Sequence, residues 1–449
     1  MFQSLNPYTS EISASHPLTS QQEVDTILTD SQKAFNLWKQ ETIEFRSKQI
    51  KKIGELLTGK LEAAAQLITK EMGKPISQSR SEIQKCIDLC DFYAEKGTAY
   101  LSNKKIITDF ESYVTYEPLE VILGIMPWNY PFWQVFRFAI PTLLSGNTVL
   151  LKHATNVPTC SLFMEVLFAE AINTQSVFQN LFLSNEETQT LIANKTIKGV
   201  SFTGSAKAGR LVASEAGKWL KPCILELGGS NALIVCNDAD LDEAVQSCIK
   251  GRFQNNGQSC IAVKRLLIAE TIKVDFTEKL LIELKKLKTG NPEEADTFFS
   301  VLSNEEFVLG LKENLQKSLD KGAKLIYGGN IKGAFFEPTV VVDVTAEMSI
   351  FKKETFGPVL AITAFKTIDE AVRLANDTDY GLGVSVFSSN RSLVNQLIPQ
   401  FEDGAVFVNS FVKSIAQLPF GGAKTSGLGR ELAEEGIKAF TNTKTVVIK

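Results

Sequence analysis

Histidine is nearly absent: the 449 residues hold only His16 and His153. A Ser-His-Asp triad needs a histidine beside its nucleophile, and a zinc site usually needs two or more histidines or a cysteine cluster. Both chemistries are therefore disfavoured, and no metal site is expected. The seven cysteines form no CxxC pair. An odd number of unpatterned cysteines reads as reduced thiols in a cytoplasmic protein. An excess of positive charge is also missing: 47 Lys+Arg stand against 51 Asp+Glu, a net charge of −4. A nucleic-acid or anionic-membrane surface would need a basic excess. No run of about 18 unbroken apolar residues occurs. The most apolar region, 121–151, is interrupted by Pro127, Asn129, Pro131, Arg137 and Pro141. The opening MFQSLNPYTSE lacks a basic-then-apolar leader. No GxGxxG fingerprint and no Lys-Ser/Thr phosphate loop occurs. The expectation is a soluble cytoplasmic protein; enzyme, binding module and structural protein all remain open on composition.

What is present alternates. Apolar residues from Phe45 to Met72 recur at three- and four-residue spacing and predict one helical stretch, stopped by Gly73-Lys74-Pro75. A second helix is expected over 79–97. From Val121 onward, VILGI, TVLLK, VFQNLFLS, GVSFT and PCILEL alternate with helical stretches. Five such units predict an α/β open parallel sheet with helices on both faces, with ligands at the carboxyl ends of its strands. Lys152, Gly204 and Glu226 fall at such ends. Gly228-Gly229 reads as a boundary, after which ALIVC, VKRLLIA, PTVVVDV, VLAITAF, GVSVF and GAVFVN suggest a second sheet. The tail TKTVVIK is a strand with no sequence neighbour, suited to pairing with a partner subunit or with its own chain.

Five residues stand out for chemistry. Cys260 follows the polar stretch FQNNGQS, which breaks a helix into a loop. It is either a buried inert thiol or an accessible nucleophile that some other group must activate. Glu226, flanked by leucines at a strand end, is either a general base raised by desolvation or a salt-bridge partner. Asn129, fixed in Pro-Trp-Asn-Tyr-Pro, either donates to a developing oxyanion or closes its own Asx-turn. Gly204 opens a helix that can meet phosphate, a signal that is weak by itself. Arg137, a lone cation among aromatics, needs a protein carboxylate or a substrate anion.

Taken together, PWNYP, LKHA, FTGSAKAG, LELGGSN, FQNNGQSC, ETFGP and PFGGAKTSGLGRE resemble the aldehyde dehydrogenase superfamily, in order and over nearly the whole chain. The resemblance implies two open parallel α/β domains plus a β-arm for oligomerisation. It places an NAD(P)-binding domain at 1–105 and 127–229, a catalytic domain at 230–411, and the arm at 106–126 and 430–449. It implies Cys260 as nucleophile, Glu226 as general base, and Asn129 with the Cys260 N–H as oxyanion hole. Trp128, Lys152, Thr155, Gly204, Ser205, Glu354 and Phe356 would hold the dinucleotide. A carboxylate at 226 implies hydrolysis to a free acid, since the CoA-acylating branch lacks it.

Within that superfamily, LKHATNVP and PFWQVFRFAIP look like the short bacterial succinate-semialdehyde dehydrogenases. That likeness implies succinate semialdehyde as the substrate and succinate as the product, with Arg137 for the substrate carboxylate and Ser414, Gln254 and Phe420 in the same pocket. Gln254 stands where some members carry a second Arg. Ala262 stands where redox-regulated members carry a second Cys, so no such switch is expected. Thr155 replaces the Glu of NAD-selective members, so NADP is expected to be accepted alongside NAD or preferred. A homodimer or homotetramer is implied. The remaining alternatives are the same chemistry on another short or aromatic aldehyde, and a catalytically silent protein on the same scaffold.

Overall fold

The computed structural model describes all residues, 1–449. Five parallel strands form one sheet, in the order Cys223–Glu226, Ile197–Thr203, Val121–Ile125, Thr148–Lys152, Phe178–Asn180. Val121–Ile125 and Thr148–Lys152 are buried at every residue, which is why they read as unbroken apolar runs rather than alternating ones. Helices Ile43–Gly59, Leu61–Met72, Ile76–Tyr100 and Trp133–Leu144 contribute to the core on one side of this sheet. Gln21–Trp38, opened by a Ser20–Glu23 capping box, sends Val24 and Leu28 into the core on the other side.

The stretch expected as one helix over 45–72 is two. The chain breaks at Gly59-Lys60, where glycine weakens the helix interior and Lys60 leaves helical geometry (φ −111°, ψ 11°). The stop at Gly73 holds: its φ is +72°, and a Cβ there would lie 2.6 Å from Val301 Cγ2.

The second sheet has seven strands, Lys324–Tyr327, Thr339–Val342, Val359–Phe365, Val263–Ala269, Asn231–Val235, Val384–Phe387 and Val406–Val408. Only Lys324–Tyr327, at an edge, runs antiparallel. After this sheet the chain returns, and Gly427–Leu428 pairs antiparallel with Leu225–Glu226 at the edge of the first sheet. The two sheets are thereby tied next to Glu226.

The boundaries expected for the arm need correction. Val121–Ile125 lies inside 106–126 but is an interior strand of the first sheet, paired on both sides. Its fully apolar VILGI would be exposed on an arm. Helix Ala433–Lys438 lies inside 430–449, yet Ile437 joins the main core. Lys104–Ile107, Glu111–Pro118 and Thr441–Ile448 form a separate three-stranded sheet, the part of the expected arm that stands apart from the first sheet. The terminal strand pairs with its own chain, antiparallel, from Thr441↔Pro118 to Ile448↔Glu111. Long-range pairing of this kind satisfies the backbone without a second subunit and cannot be read from sequence neighbours.

Candidate active site

Two cavities meet at Cys260. One, of about 250 Å³, is lined by Trp128, Asn129, Gly204, Ser205, Glu354 and Phe356 among others. The other, of about 320 Å³, is lined by Arg137, Gln254, Ser414 and Phe420 with Lys85, Tyr130 and Trp133. Cys260 and Gln134 line both. The turn Pro127–Pro131 forms part of the partition, with Trp128 and Asn129 facing the first cavity and Tyr130 the second.

The Cys260 loop is shaped locally by two asparagines in the left-handed region, Asn255 (φ 56°) and Asn256 (φ 51°). Asparagine tolerates that region because its short amide bonds nearby backbone. Asn255 does so locally, donating from Nδ2 to Gln258 O at 3.2 Å, while Asn256 ties the loop to a distant segment, donating to Val301 O and accepting from Ser300 N–H, each at 2.9 Å. Lys264, fully buried, donates to Ser259 O and Cys260 O, each at 2.7 Å, and to Glu354 Oε1 at 3.2 Å. Burial raises the Cys260 thiol pKa, while the cations of Lys264 and Arg137 oppose that rise. The two cations temper the cost of the thiolate without cancelling it.

Asn129 makes no Asx-turn. Its Nδ2 donates to Gln258 O at 3.0 Å, which ties the turn to the Cys260 loop. An amide has two N–H donors, so one is left over, and Asn129 lines the same cavity as Cys260. The backbone of Asn129 is itself braced: its carbonyl accepts from Lys74 Nζ at 3.0 Å and from Asn255 Nδ2 at 2.8 Å. Lys74 pairs with Glu82, both side chains being buried. Glu82 Oε1 then accepts from the N–H groups of Phe132 and Trp133 at 2.9 and 3.0 Å.

Glu226 is 2% exposed and lines neither cavity. Its Oε1 has no hydrogen-bond partner and approaches Gly421. Desolvation raises its pKa well above the ordinary carboxylate range; Arg137 opposes this and Glu431 adds to it. The Oε1 of Glu226 is thus a desolvated carboxyl oxygen that no protein donor or ion pair has claimed.

Arg137 resolves its ambiguity in both directions. Its Nε pairs with Glu431, a protein carboxylate. Its guanidinium lies 4.6 Å from the Phe420 ring centroid and faces the second cavity, and its Nη2 has no partner. Ser414 Oγ lies in the same cavity and accepts from Trp133 Nε1 at 3.1 Å. Gln254 lines the cavity too, adding polarity without charge.

The first cavity is edged by aromatic rings and bare backbone, a lining suited to one flat ring of a larger ligand. Trp128 stacks on Phe307 (ring centroids 5.0 Å apart) and meets Phe356 edge-on, forming an aromatic mouth. Ser205 caps helix Ala206–Lys218, whose first amides face the strand ends. Gly228 lets Glu354 approach closely, since a Cβ would lie 2.3 Å from its Oε2 and would displace that carboxylate. Lys152, at the end of its strand, is 7% exposed and has no acidic partner. Burial alone lowers its pKa, as for a cation awaiting an anion. Thr155 lies just beyond it and is exposed, outside both cavities.

Lys85, Gln134, Trp133, Lys264 and Phe307 were not singled out from sequence. Their separation from Cys260 along the chain hides them, and only Lys264, four residues on, left a local clue as a charge inside an apolar strand.

A family model described as the aldehyde dehydrogenase family matches residues 1–446. A succinate semialdehyde dehydrogenase [NAD(P)+] of Escherichia coli is 40% identical over 447 residues, covering 99% of this chain and 97% of that protein. A succinate-semialdehyde dehydrogenase [NADP(+)] of Deinococcus radiodurans is 39% identical, covering 99% of this chain and 94% of its own. Among solved structures, a succinic semialdehyde dehydrogenase of Streptococcus pyogenes in complex with NADP+ superimposes with a TM-score of 0.97 at 34% identity, each chain covered in full. With a thiol shared between an aromatic, glycine-edged cavity and a cationic one, and with this likeness along its whole length, the chain belongs to the aldehyde dehydrogenase family.

Proposed function

We propose that this chain oxidises succinate semialdehyde to succinate, with NADP or NAD as hydride acceptor. The observation that carries the reading is the position of Cys260 as the common wall of two cavities, one cationic and one edged by aromatic rings and bare backbone. The relatives named succinate-semialdehyde dehydrogenase support the substrate. Arg137, which lines this cavity, and the hydroxyl of Ser414 support recognition of a carboxylate.

Trp128, Lys152, Gly204, Ser205, Glu354 and Phe356 would hold the dinucleotide, with Thr155 at its adenosine end. When bound, it supplies the acceptor for the aldehyde hydride. Cys260 Sγ adds to the aldehyde carbon. The oxygen of the thiohemiacetal takes hydrogen bonds from the spare Asn129 Nδ2–H and the Cys260 N–H. Loss of hydride leaves a thioester on Cys260. Glu226 takes a proton from water, the hydroxide attacks the thioester carbon, and the C–S bond breaks to release the acid and restore the thiol. Thr155 brings no negative charge against a 2′-phosphate, and Lys152 nearby favours one, which supports acceptance of NADP.

Two coarser expectations complete the reading. The first sheet with its helices serves as the dinucleotide-binding domain and the second as the catalytic domain. The arm leaves Ile107 97% and Ile448 50% exposed along outer strands, which supports its use between copies in a homodimer or homotetramer. All seven cysteines are free, in keeping with a cytoplasmic location, and no helix is long and apolar enough to cross a membrane.

The aromatic walls Tyr130, Trp133, Phe411 and Phe420 favour, as a second reading, an aromatic aldehyde. One experiment separates the two. Nicotinamide reduction is followed with succinate semialdehyde, butanal and benzaldehyde, each against NADP and NAD. Highest kcat/KM with succinate semialdehyde supports the proposal; highest with benzaldehyde replaces it.

A further inference from the structure

The substrate-side cavity contains a cation that sequence analysis did not single out. Lys85 lies one turn after Glu82 on helix Ile76–Tyr100 and is half-buried at the cavity wall. Its Nζ donates to Ser414 Oγ at 2.6 Å and sits 4.0 Å above the Trp133 ring centroid. Trp133 Nε1 also donates to Ser414 Oγ, at 3.1 Å. With two donors on its oxygen, the Ser414 hydroxyl keeps its own hydrogen for an outside acceptor.

The other charges around it are accounted for. Glu82 is held by Lys74 and by the amides of Phe132 and Trp133. Glu431 pairs with Arg137. Lys413 is exposed and stacks over Phe411 at 4.5 Å. Lys85 makes no ion pair with any carboxylate of the protein, and neither cation in reach of Cys260 on this side is fully neutralised. An unpaired, poorly hydrated ammonium beside a spare hydroxyl hydrogen makes a carboxylate-binding pair.

We infer that Lys85, acting with Ser414, binds the carboxylate at the far end of the substrate and sets the preference for an ω-carboxylated aldehyde over an uncharged one. This rests on the succinate-semialdehyde reading and deepens it. Arg137 shares the field, but part of its guanidinium is committed to Glu431. Gln254, which carries no charge, need not supply the second cation.

The position has a consequence in pH. Burial and the like charge of Arg137 push Lys85 down to about 7, against the weaker pull of Cys86, Glu82 and Cys260. Arg137 and Cys260 face it from other elements, Glu82 and Cys86 from its own helix, and Lys413 lines the same cavity. Only protonated Lys85 attracts the substrate carboxylate. KM for succinate semialdehyde therefore rises as pH is raised above about 7, while KM for butanal does not follow this titration.

The test measures kcat and KM for both aldehydes, from about pH 6.5 to about pH 9, in wild type, Lys85→Met and Lys85→Arg. Lys85→Met is expected to lower the ratio of kcat/KM for succinate semialdehyde to that for butanal by roughly 30-fold, mainly through KM. Lys85→Arg is expected to recover most of the ratio and to flatten the rise of KM with pH, because a guanidinium stays charged. Should Lys85→Met fail to fold, Lys85→Gln, which keeps a polar end toward Ser414, is expected to lower the ratio likewise. A wild type without preference for succinate semialdehyde overturns both the substrate reading and this inference. A preference that survives in Lys85→Met, or a loss that strikes both aldehydes equally, overturns the inference alone.

Discussion

The two cavities that share Cys260 are built on different physics. On one side, the rings of Trp128, Phe307 and Phe356 and the bare backbone at Gly204 and Gly228 offer flat apolar area and close approach. On the other, Arg137, Lys85 and Ser414 offer charge and hydrogen bonds inside an aromatic frame. The first recognises by stacking and by what it leaves out; the second recognises by charge. Between them stand a turn of five residues, Gln134 and a single thiol. The lesson is that one sulfur borders two unlike cavities because the wall between them is thin and braced.

Removing the shared atom should have the largest effect. Cys260→Ser is expected to cut dehydrogenase turnover by about 10⁴-fold or more, with dinucleotide binding retained, as read by nicotinamide reduction and by fluorescence titration. Retained turnover would mean that the thiol is not the meeting point.

Next in size is the charged side. Arg137→Met leaves Glu431 buried and unpaired and is expected to destabilise the protein by about 3–5 kcal/mol, seen as a lower denaturation midpoint. In protein that remains folded, KM for succinate semialdehyde should rise more than KM for butanal. A midpoint close to wild type would show that the pair with Glu431 carries little.

The stacking side is probed at its far end. Thr155→Glu is expected to lower the NADP/NAD ratio of kcat/KM by about 10- to 100-fold, through repulsion of the 2′-phosphate. An unchanged ratio would place the adenosine ribose elsewhere.

The bracing of the partition gives the smallest effect. His153 accepts the Ala154 N–H on Nδ1 at 2.8 Å, which leaves Nε2–H to donate to Pro131 O at 2.9 Å. Burial pushes its pKa from 6.5 down to about 4. Between these values the unfolded chain takes up a proton that the folded one refuses, so stability present above about pH 6.5 is lost as pH falls toward about 4. The expected slope from this group is about 1.4 kcal/mol per pH unit at most. Urea unfolding at several pH values should show a flatter profile in His153→Gln; an identical slope would assign the loss to other groups.

Legibility from sequence followed locality. The five-strand alternation, the glycine stop at 73, the strand ends at Lys152 and Glu226, and the loop before Cys260 are each encoded within about ten residues, and the structure has them. The break at Gly59-Lys60 escaped because an amphipathic spacing continues across it. The arm boundary was misplaced because Val121–Ile125 and Glu111–Pro118 are adjacent in sequence but belong to different sheets. For Arg137, sequence offered two partners, and packing provided Glu431 on one side of the guanidinium and open cavity on the other. Lys85 carried no local signal of its surroundings, and Lys264 only that of a charge inside an apolar strand.

Read by itself, the chain determined which residue types were available for chemistry: scarce histidine left a cysteine, an asparagine and a carboxylate, each in a local setting that restrained it. Tertiary structure alone decided which charges face one another. Lys85 and Ser414, and Arg137 and Glu431, are hundreds of residues apart in sequence. The strength of a charge depends on the solvent and the partners that packing leaves beside it, and neither is a property of neighbouring residues.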